Sequence, residues 1–278
     1  MPIRDVILQM NSYPDPTPPW ALEVAISLAG SWGAKHSVGV CEVNVPPISN
    51  WLANKVINMD GMIAAENRKS SESAKALLSQ FSSRIGNAQV GEALLIQCPG
   101  MVTAWQLAAK ACAYDLIIMP VYGHKETAAM GEGLVFESGR PVLLLPEPAD
   151  SQLQFDQIVV GWDGSRAAAR ALSDAMDFCR SAKKVSIASV TKEKDLSKAS
   201  PISDAVRHLA RHDIVAEPIE ISAEGADAGV ALQSYCERAG SDLLVMGAYG
   251  HSRVREFVLG GASRSVLHNP RLPILLSH

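Results

Sequence analysis

The sequence predicts two tandem doubly wound α/β domains, residues 1–147 and 155–278, each a five-stranded parallel sheet with helices on both faces. Two observations predict it. The chain repeats itself, and each copy alternates short apolar runs with longer stretches of helical spacing. The clearest piece of the repeat sets Asp115-Leu116-Ile117-Ile118-Met119-Pro120-Val121-Tyr122-Gly123-His124 against Asp242-Leu243-Leu244-Val245-Met246-Gly247-Ala248-Tyr249-Gly250-His251, 127 positions on. Asp, Leu, Met, Tyr, Gly and His recur at matched places.

Two further anchors extend the repeat. Arg4-Asp5-Val6-Ile7-Leu8 matches Asp156-Gln157-Ile158-Val159-Val160 at an offset of 152, and Arg140 to Leu145 matches Leu272 to Ser277 at an offset of 132. The falling offset makes the first copy 25 residues longer before its Tyr-Gly-His segment, and the later rise makes it 5 shorter after it. The Pro46-Pro47 pair assigns much of the extra length to residues 45–61, an irregular connection between the second strand and its helix. A short linker rich in proline and polar residues, 146–151, joins the copies.

The elements are cleanest in the second copy. Residues 157–161 form a short apolar run, a buried strand. Residues 165–181 carry Ala168, Leu172, Ala175, Met176 and Cys179 at helical spacing, with Ser165 after Asp163-Gly164 as the cap. Strand 185–190, helix 203–212 and strand 215–221 follow. Helix 227–239 stops at Gly240, a residue suited to a left-handed cap. Strand 242–246, a helix within 257–268 and strand 273–277 complete the order βαβαβαβαβ. Helical crossovers between successive strands require a parallel sheet. The first copy gives the same order, less cleanly in its last third.

Composition bounds the function. The chain has 278 residues, 47% hydrophobic and 19% charged, with a formal net charge of -4. That balance supports packed cores and lacks the basic surface that nucleic-acid binding demands. The apolar runs have strand length rather than the roughly 20 residues of a membrane span, which argues against a membrane partner. Five widely spaced cysteines without a C-x-x-C pair, and no basic-then-apolar leader at the start, point to reduced thiols and a cytoplasmic setting. Neither a G-x-S-x-G elbow nor a G-x-x-x-x-G-K-[ST] loop is present.

The candidate chemistry sits beyond the fourth strand of the second copy, where sheets of this type bind ligands. The strand ends at Met246 and opens into Gly247 and Gly250; after nine intervening residues come Gly260 and Gly261, then Ser263 and Ser265. Glycines let a backbone approach a phosphate closely, and a helix starting near Gly261 aims free N–H groups at the same place. Other residues carry less. His208 and His212 lie four apart on a helix but lack a third metal ligand nearby in sequence. Cys98 precedes Pro99-Gly100 at a helix start, without an identifiable histidine partner. Asp115 and Asp242, at strand starts, fit local backbone contacts.

Gly-x2-Gly-x9-Gly in this setting resembles the ATP-binding signature of the universal stress protein family. The resemblance covers the whole second copy and, more weakly, the first. It implies an adenine-nucleotide alpha-hydrolase-like fold and a site for ATP or a related adenine nucleotide, with Mg2+ as a companion of the phosphates. Gly247, Gly250, Gly260 and Gly261 would cradle the phosphates, and Ser263 would add a hydroxyl. Asp163 matches the acidic residue that the family places near the adenine and ribose, and Val190 matches its apolar residue at the end of the second strand; Met246 closes the fourth. One departure stands out: Gly261 occupies the place where the family has Ser or Thr. In the first copy Pro120 replaces the first glycine, Asn11 replaces Asp163, and only Gly131 and Gly133 follow, at altered spacing, so this copy should bind nucleotide poorly or not at all.

The resemblance implies a stress-response protein that senses or protects rather than turns over substrate. The alternatives are a nucleotide-independent interaction scaffold and a slow ATP hydrolase. Family domains commonly pair through their last strands, which leads us to expect an intrachain pseudo-dimer through residues 141–145 and 273–277. Association of two chains into a homodimer is left open.

Overall fold

A computed structural model describes residues 2–47, 58–86, 89–123, 126–147, 152–191, 201–223, 225–248 and 261–278. Ten strands form one sheet. They are β1 (Asp5–Asn11), β2 (Lys35–Asn44), β3 (Val90–Pro99), β4 (Leu116–Val121), β5 (Val142–Pro146), β6 (Gln157–Gly161), β7 (Lys184–Thr191), β8 (Ala216–Ser222), β9 (Leu243–Gly247) and β10 (Ile274–Ser277). The helices among the described residues are α1 (Pro19–Trp32), α2 (Met59–Arg84), α3 (Ala104–Ala111), α4 (Glu126–Glu137), α5 (Arg166–Asp174), α6 (Met176–Ser181), α7 (Ile202–Ala210), α8 (Ala228–Ala239) and α9 (Gly261–His268).

The sheet order is β3-β2-β1-β4-β5-β10-β9-β6-β7-β8. Every neighbouring pair is parallel except the central one, where Ile274, Leu275 and Leu276 of β10 run antiparallel against Leu144, Leu143 and Val142 of β5. The two halves therefore repeat one strand order, outward from the middle. The α/β class with helices on both faces is what the alternating pattern requires. Side chains of a strand point alternately to opposite faces, and here both faces are buried. Leu116 and Ile118 join the core under α1, α2, α5, α6 and α7. Ile117 and Met119 join the core under α3, α4, α8 and α9. That double burial is why the strands read as unbroken apolar runs.

A pair of matched carboxylates ties each half together. Asp115 Oδ2, just before β4, accepts from the backbone N–H groups of Arg4 and Asp5 at 2.8 and 3.0 Å. Asp242 Oδ2, just before β9, accepts from those of Asp156 and Gln157 at 3.0 and 2.8 Å. Each aspartate satisfies the first amides of the neighbouring parallel strand, so the repeat preserves a clamp as well as a pattern. These contacts are to backbone, as expected, but they reach across the sheet rather than along the chain.

Two details depart from the sequence reading. The extra length of the first copy goes largely into the helix after its second strand: α2 has 26 residues and its counterpart α7 has 9. The helix expected over 165–181 is two helices, broken at Ala175, where φ is -84° and ψ -1°. The caps fall where expected. The Ser165 hydroxyl accepts from Ala168 N, and Gly240 closes α8 with a φ of 65°.

Candidate functional site

The order of the C-terminal half reverses between β6 and β9: the chain leaves β6 toward β7 and β8, then returns to β9 on the other side. The carboxyl ends of β6 and β9 therefore open a crevice at a topological switch point. Val160 pairs with Val245 in register, so the loops after Gly161 and Gly247 leave the sheet side by side.

After β6, Trp162 N donates to Ala188 O at 2.7 Å and carries the chain past the strand end along β7. Asp163 follows, exposed, its Oδ1 accepting from Ser165 N at 2.9 Å. That bond forms the Asp-Gly-Ser turn that starts α5, with Gly164 at a φ of 71°. Val190 lies near the end of β7, half-buried against the core beneath α8 and α9. Asp163 and Val190 thus stand at the carboxyl ends of adjacent strands, on the edge of the crevice.

Gly247 closes β9 against α5. A Cβ there would lie 2.4 Å from Ala167 C and Ala168 N, so its missing side chain lets the strand end meet the first turn of the helix. Its sequence-assigned part in a phosphate cradle therefore competes with a packing demand. Met246 and Ser263 are core residues, 5% and 3% exposed. Gly261 opens α9 and is exposed; a Cβ on it would meet only Asp227 Cβ, at 3.5 Å. A helix that starts there would present first-turn amides without intrahelical acceptors. Gly250 and Gly260 lie outside the described residues. Of the candidate residues, then, Asp163, Val190, Gly247 and Gly261 border the carboxyl edge of the sheet or the start of α9, and Met246 and Ser263 turn inward. Among the described residues no group of three or more His, Cys, Asp or Glu side chains could hold a metal ion. His208 and His212 stack edge to face, their ring centroids 4.9 Å apart.

The sequence reading placed Asp227 at a helix start and Ser265 beyond the glycines, but not the bond between them. Asp227 caps α8 and its Oδ1 accepts from Gly229 N at 2.8 Å and Val230 N at 3.1 Å. The same oxygen accepts from the Ser265 hydroxyl at 2.8 Å. The cap is legible as an aspartate before an apolar run; the bond across 38 positions is not.

The equivalent edge in the N-terminal half, beyond β1 and β4, is crossed by hydrogen bonds within the chain. Thr17 Oγ1 accepts from Asn11 N at 2.8 Å and shares a hydrogen bond with Tyr122 OH at 2.9 Å. Burial pushes the Tyr122 phenol above its ordinary pKa. On the β2 side, Ser70 of α2 accepts from Val43 N at 2.9 Å and bonds Ser12 Oγ at 2.8 Å. Asn67 accepts from Val45 N at 2.8 Å and donates to Val45 O at 2.9 Å. The long helix α2 thereby holds Val43 and Val45 at the end of β2. Gly131 and Gly133, expected in a loop, lie within α4. A Cβ on Gly133 would come 2.3 Å from Ala104 Cβ, and one on Gly131 would come 3.1 Å from Leu267 Cδ2. They are packing glycines between helices, which explains their altered spacing.

Comparison with known proteins agrees with this architecture. The family model described as "Universal stress protein family" matches residues 154–278. A universal stress protein of Synechocystis is 26% identical over 172 residues, which cover 58% of this chain and 57% of that protein. The chain thus spans a little over half the length of that relative. Among solved structures, a universal stress protein from Archaeoglobus fulgidus superimposes with a TM-score of 0.70 at 17% identity, covering 98% of this chain and 95% of that one. A protein of unknown function from Pseudomonas aeruginosa superimposes with a TM-score of 0.58 at 15% identity, covering 99% and 92%. At such identities the two overlays speak to the fold alone. No helix among the described residues is long and apolar enough to cross a membrane.

Proposed function

We propose that the C-terminal half of the chain, whose residues 154–278 match the universal stress protein family, binds ATP or a related adenine nucleotide, for stress sensing or protection rather than turnover. One observation carries the reading: the crevice between the carboxyl ends of β6 and β9 is bordered by an exposed carboxylate at Asp163, with α9 described from Gly261 onward.

The described residues fit such a ligand at two points. An exposed acidic side chain after β6 suits the hydroxyls of a ribose, with Val190 as the apolar surface beside it. An exposed glycine at a helix start lets phosphate oxygens approach backbone amides, where the helix dipole favours negative charge. At Gly247 the fit is to α5 instead. Gly261 in place of a hydroxyl residue leaves phosphate binding to main-chain N–H groups, with Gly250 and Gly260 supplying close approach from the loop. A Mg2+ ion would ride on the phosphates, neutralising their charge, with water filling its shell.

In this reading residues 1–147 and 155–278 are two copies of one domain, and the first has become a structural partner. Hydrogen bonds of Thr17, Tyr122, Asn67 and Ser70 run across its own edge of the sheet. The test is direct. Purified protein is denatured and its released small molecules are identified by mass spectrometry, and emptied protein is titrated with ATP by calorimetry. One ATP per chain, lost on Gly250→Asp or Gly260→Asp, is the expected result. The absence of saturable ATP binding would overturn the proposal and favour an interaction scaffold.

A further inference from the structure

We propose that Asp227 and Ser265 are positioning residues for the phosphate end of that nucleotide: they hold α9 at the angle its first-turn amides need. The inference rests on the function proposed above. Neither residue borders the crevice itself; both act through α9.

The geometry is a latch between two helix starts. Asp227 Oδ1 accepts three hydrogen bonds, two from the first turn of α8 and one from Ser265 on α9. The Ser265 hydroxyl also lies 3.0 Å from the Ala262 carbonyl, within the first turn of α9. Gly229 makes the contact close. A Cβ there would stand 2.4 Å from both Ala262 O and Ser265 Oγ and 3.0 Å from Ala262 Cα. Asp227 Cβ lies 3.5 Å from where a Gly261 side chain would begin. Three short features therefore converge on residues 261–265: a carboxylate, a hydroxyl and a glycine with no room for a methyl group.

A short helix needs such a fastening. Among the described residues α9 has 8 residues, too few to be stable on their own, so its direction is set by what it packs against. Its inner face, and with it the rotation about its axis, is fixed by the buried Ser263, Val266 and Leu267. The tilt of its N-terminal turn is left to the latch. Amides aimed at phosphate oxygens lose much of their hydrogen-bond energy when misaligned, so loosening the latch weakens binding of the phosphates and spares the nucleoside end at Asp163 and Val190. The acceptor oxygen of the carboxylate makes the latch.

The test compares ATP with adenosine on the full-length protein by calorimetry, with thermal midpoints measured alongside. Ser265→Ala and Asp227→Ala are each expected to weaken ATP roughly tenfold, the scale of one lost hydrogen bond to a charged group, with adenosine affinity unchanged. Asp227→Asn keeps the acceptor oxygen and should retain ATP affinity. The Asp227→Ala, Ser265→Ala double variant should bind no worse than the weaker single, because one latch is broken once. If Asp227→Ala fails to fold, Ser265→Ala alone carries the test. Equal loss for ATP and adenosine, or no loss in a folded Ser265→Ala protein, would overturn the positioning role. Failure of the unmutated protein to bind ATP would instead overturn the function on which it rests.

Discussion

His36 makes stability fall with acid in a way that a single substitution removes. It is the second residue of β2, 0% exposed, and neither ring nitrogen has a hydrogen-bond partner. Its ring meets Phe81 of α2 edge to face at 5.5 Å. Burial lowers its pKa from 6.5 to about 4. The folded state therefore holds the neutral imidazole, and the unfolded chain takes up a proton first as pH falls. Stability is complete above pH 6.5 and drains away between 6.5 and about 4. At 1.36 kcal/mol per pKa unit the whole loss is about 3 kcal/mol, of which about 2 kcal/mol is gone by about pH 5. Urea unfolding followed at several pH values, for the native protein and for His36→Leu, measures it. Leucine keeps the site apolar and has no proton to gain. The difference in unfolding free energy between the two proteins should shift by about 2 kcal/mol in favour of leucine from pH 7.5 to about pH 5. Subtraction cancels the carboxylates common to both, including Asp5, whose raised pKa acts in the opposite direction. Parallel pH profiles would refute the argument, as would an imidazole NMR signal for His36 that titrates near 6.5.

Other outcomes follow from the packing and the clamps. Asp242→Ala strips the acceptor from two strand-initiating amides and should cost about 2 kcal/mol, with Asp115→Ala similar, read by chemical denaturation. A fully stable Asp242→Ala protein would show that water replaces the carboxylate at no cost. Gly247→Ala forces a methyl group to within 2.4 Å of the α5 backbone and should lower stability by roughly 1–3 kcal/mol even without nucleotide, seen as a reduced thermal midpoint of the emptied protein. An unchanged midpoint would return that glycine to a purely ligand-facing role. A thiol reagent at neutral pH should titrate Cys112 alone in the native protein and all five cysteines after denaturation, since the other four are buried and burial raises Cys179 and Cys236 to about 12. Rapid reaction at Cys98, whose thiol is lowered by a hydrogen bond from Cys41, would show that the end of β3 opens readily.

Much of the fold was legible because its causes are local. Buried parallel strands must be apolar throughout, and Ser165 and Gly240 mark helix ends through chemistry confined to one turn. The repeat also located the candidate edge, since matched strands imply matched loops. What stayed hidden depends on partners distant in sequence. Asp242 reads as a strand start, but the amides it satisfies lie 85 and 86 positions away. Gly131 and Gly133 look like remnants of a loop because glycine serves turns and close helix contacts alike, and only the facing Ala104 and Leu267 decide between them. Gly247 poses the same ambiguity within the candidate site. Ser263 and Ser265 are two residues apart on a helix and so point in different directions. One is buried and the other reaches Asp227, a distinction no motif carries.

The antiparallel seam has a consequence for ligand number. β5 runs with β4 and β1, β10 runs with β9 and β6, and the two sets are opposed across the central pair. The carboxyl ends of β1 and β4 therefore lie on the opposite edge of the sheet from those of β6 and β9. The two crevices cannot share a ligand or lend each other residues at those ends. The hydrogen bonds of Thr17, Tyr122, Asn67 and Ser70 at the first edge therefore leave the second undisturbed. The remaining contribution of the N-terminal half is the strand β5 and the core behind it, which cover an edge that β10 would otherwise expose. Nucleotide stoichiometry should therefore be one per chain, and Asn67→Ala should leave it at one, because vacating Val45 restores neither the glycine that Pro120 replaces nor the missing loop. A second equivalent of ATP bound by the native protein would show that the first edge binds too, and that the asymmetry between the halves is one of affinity alone.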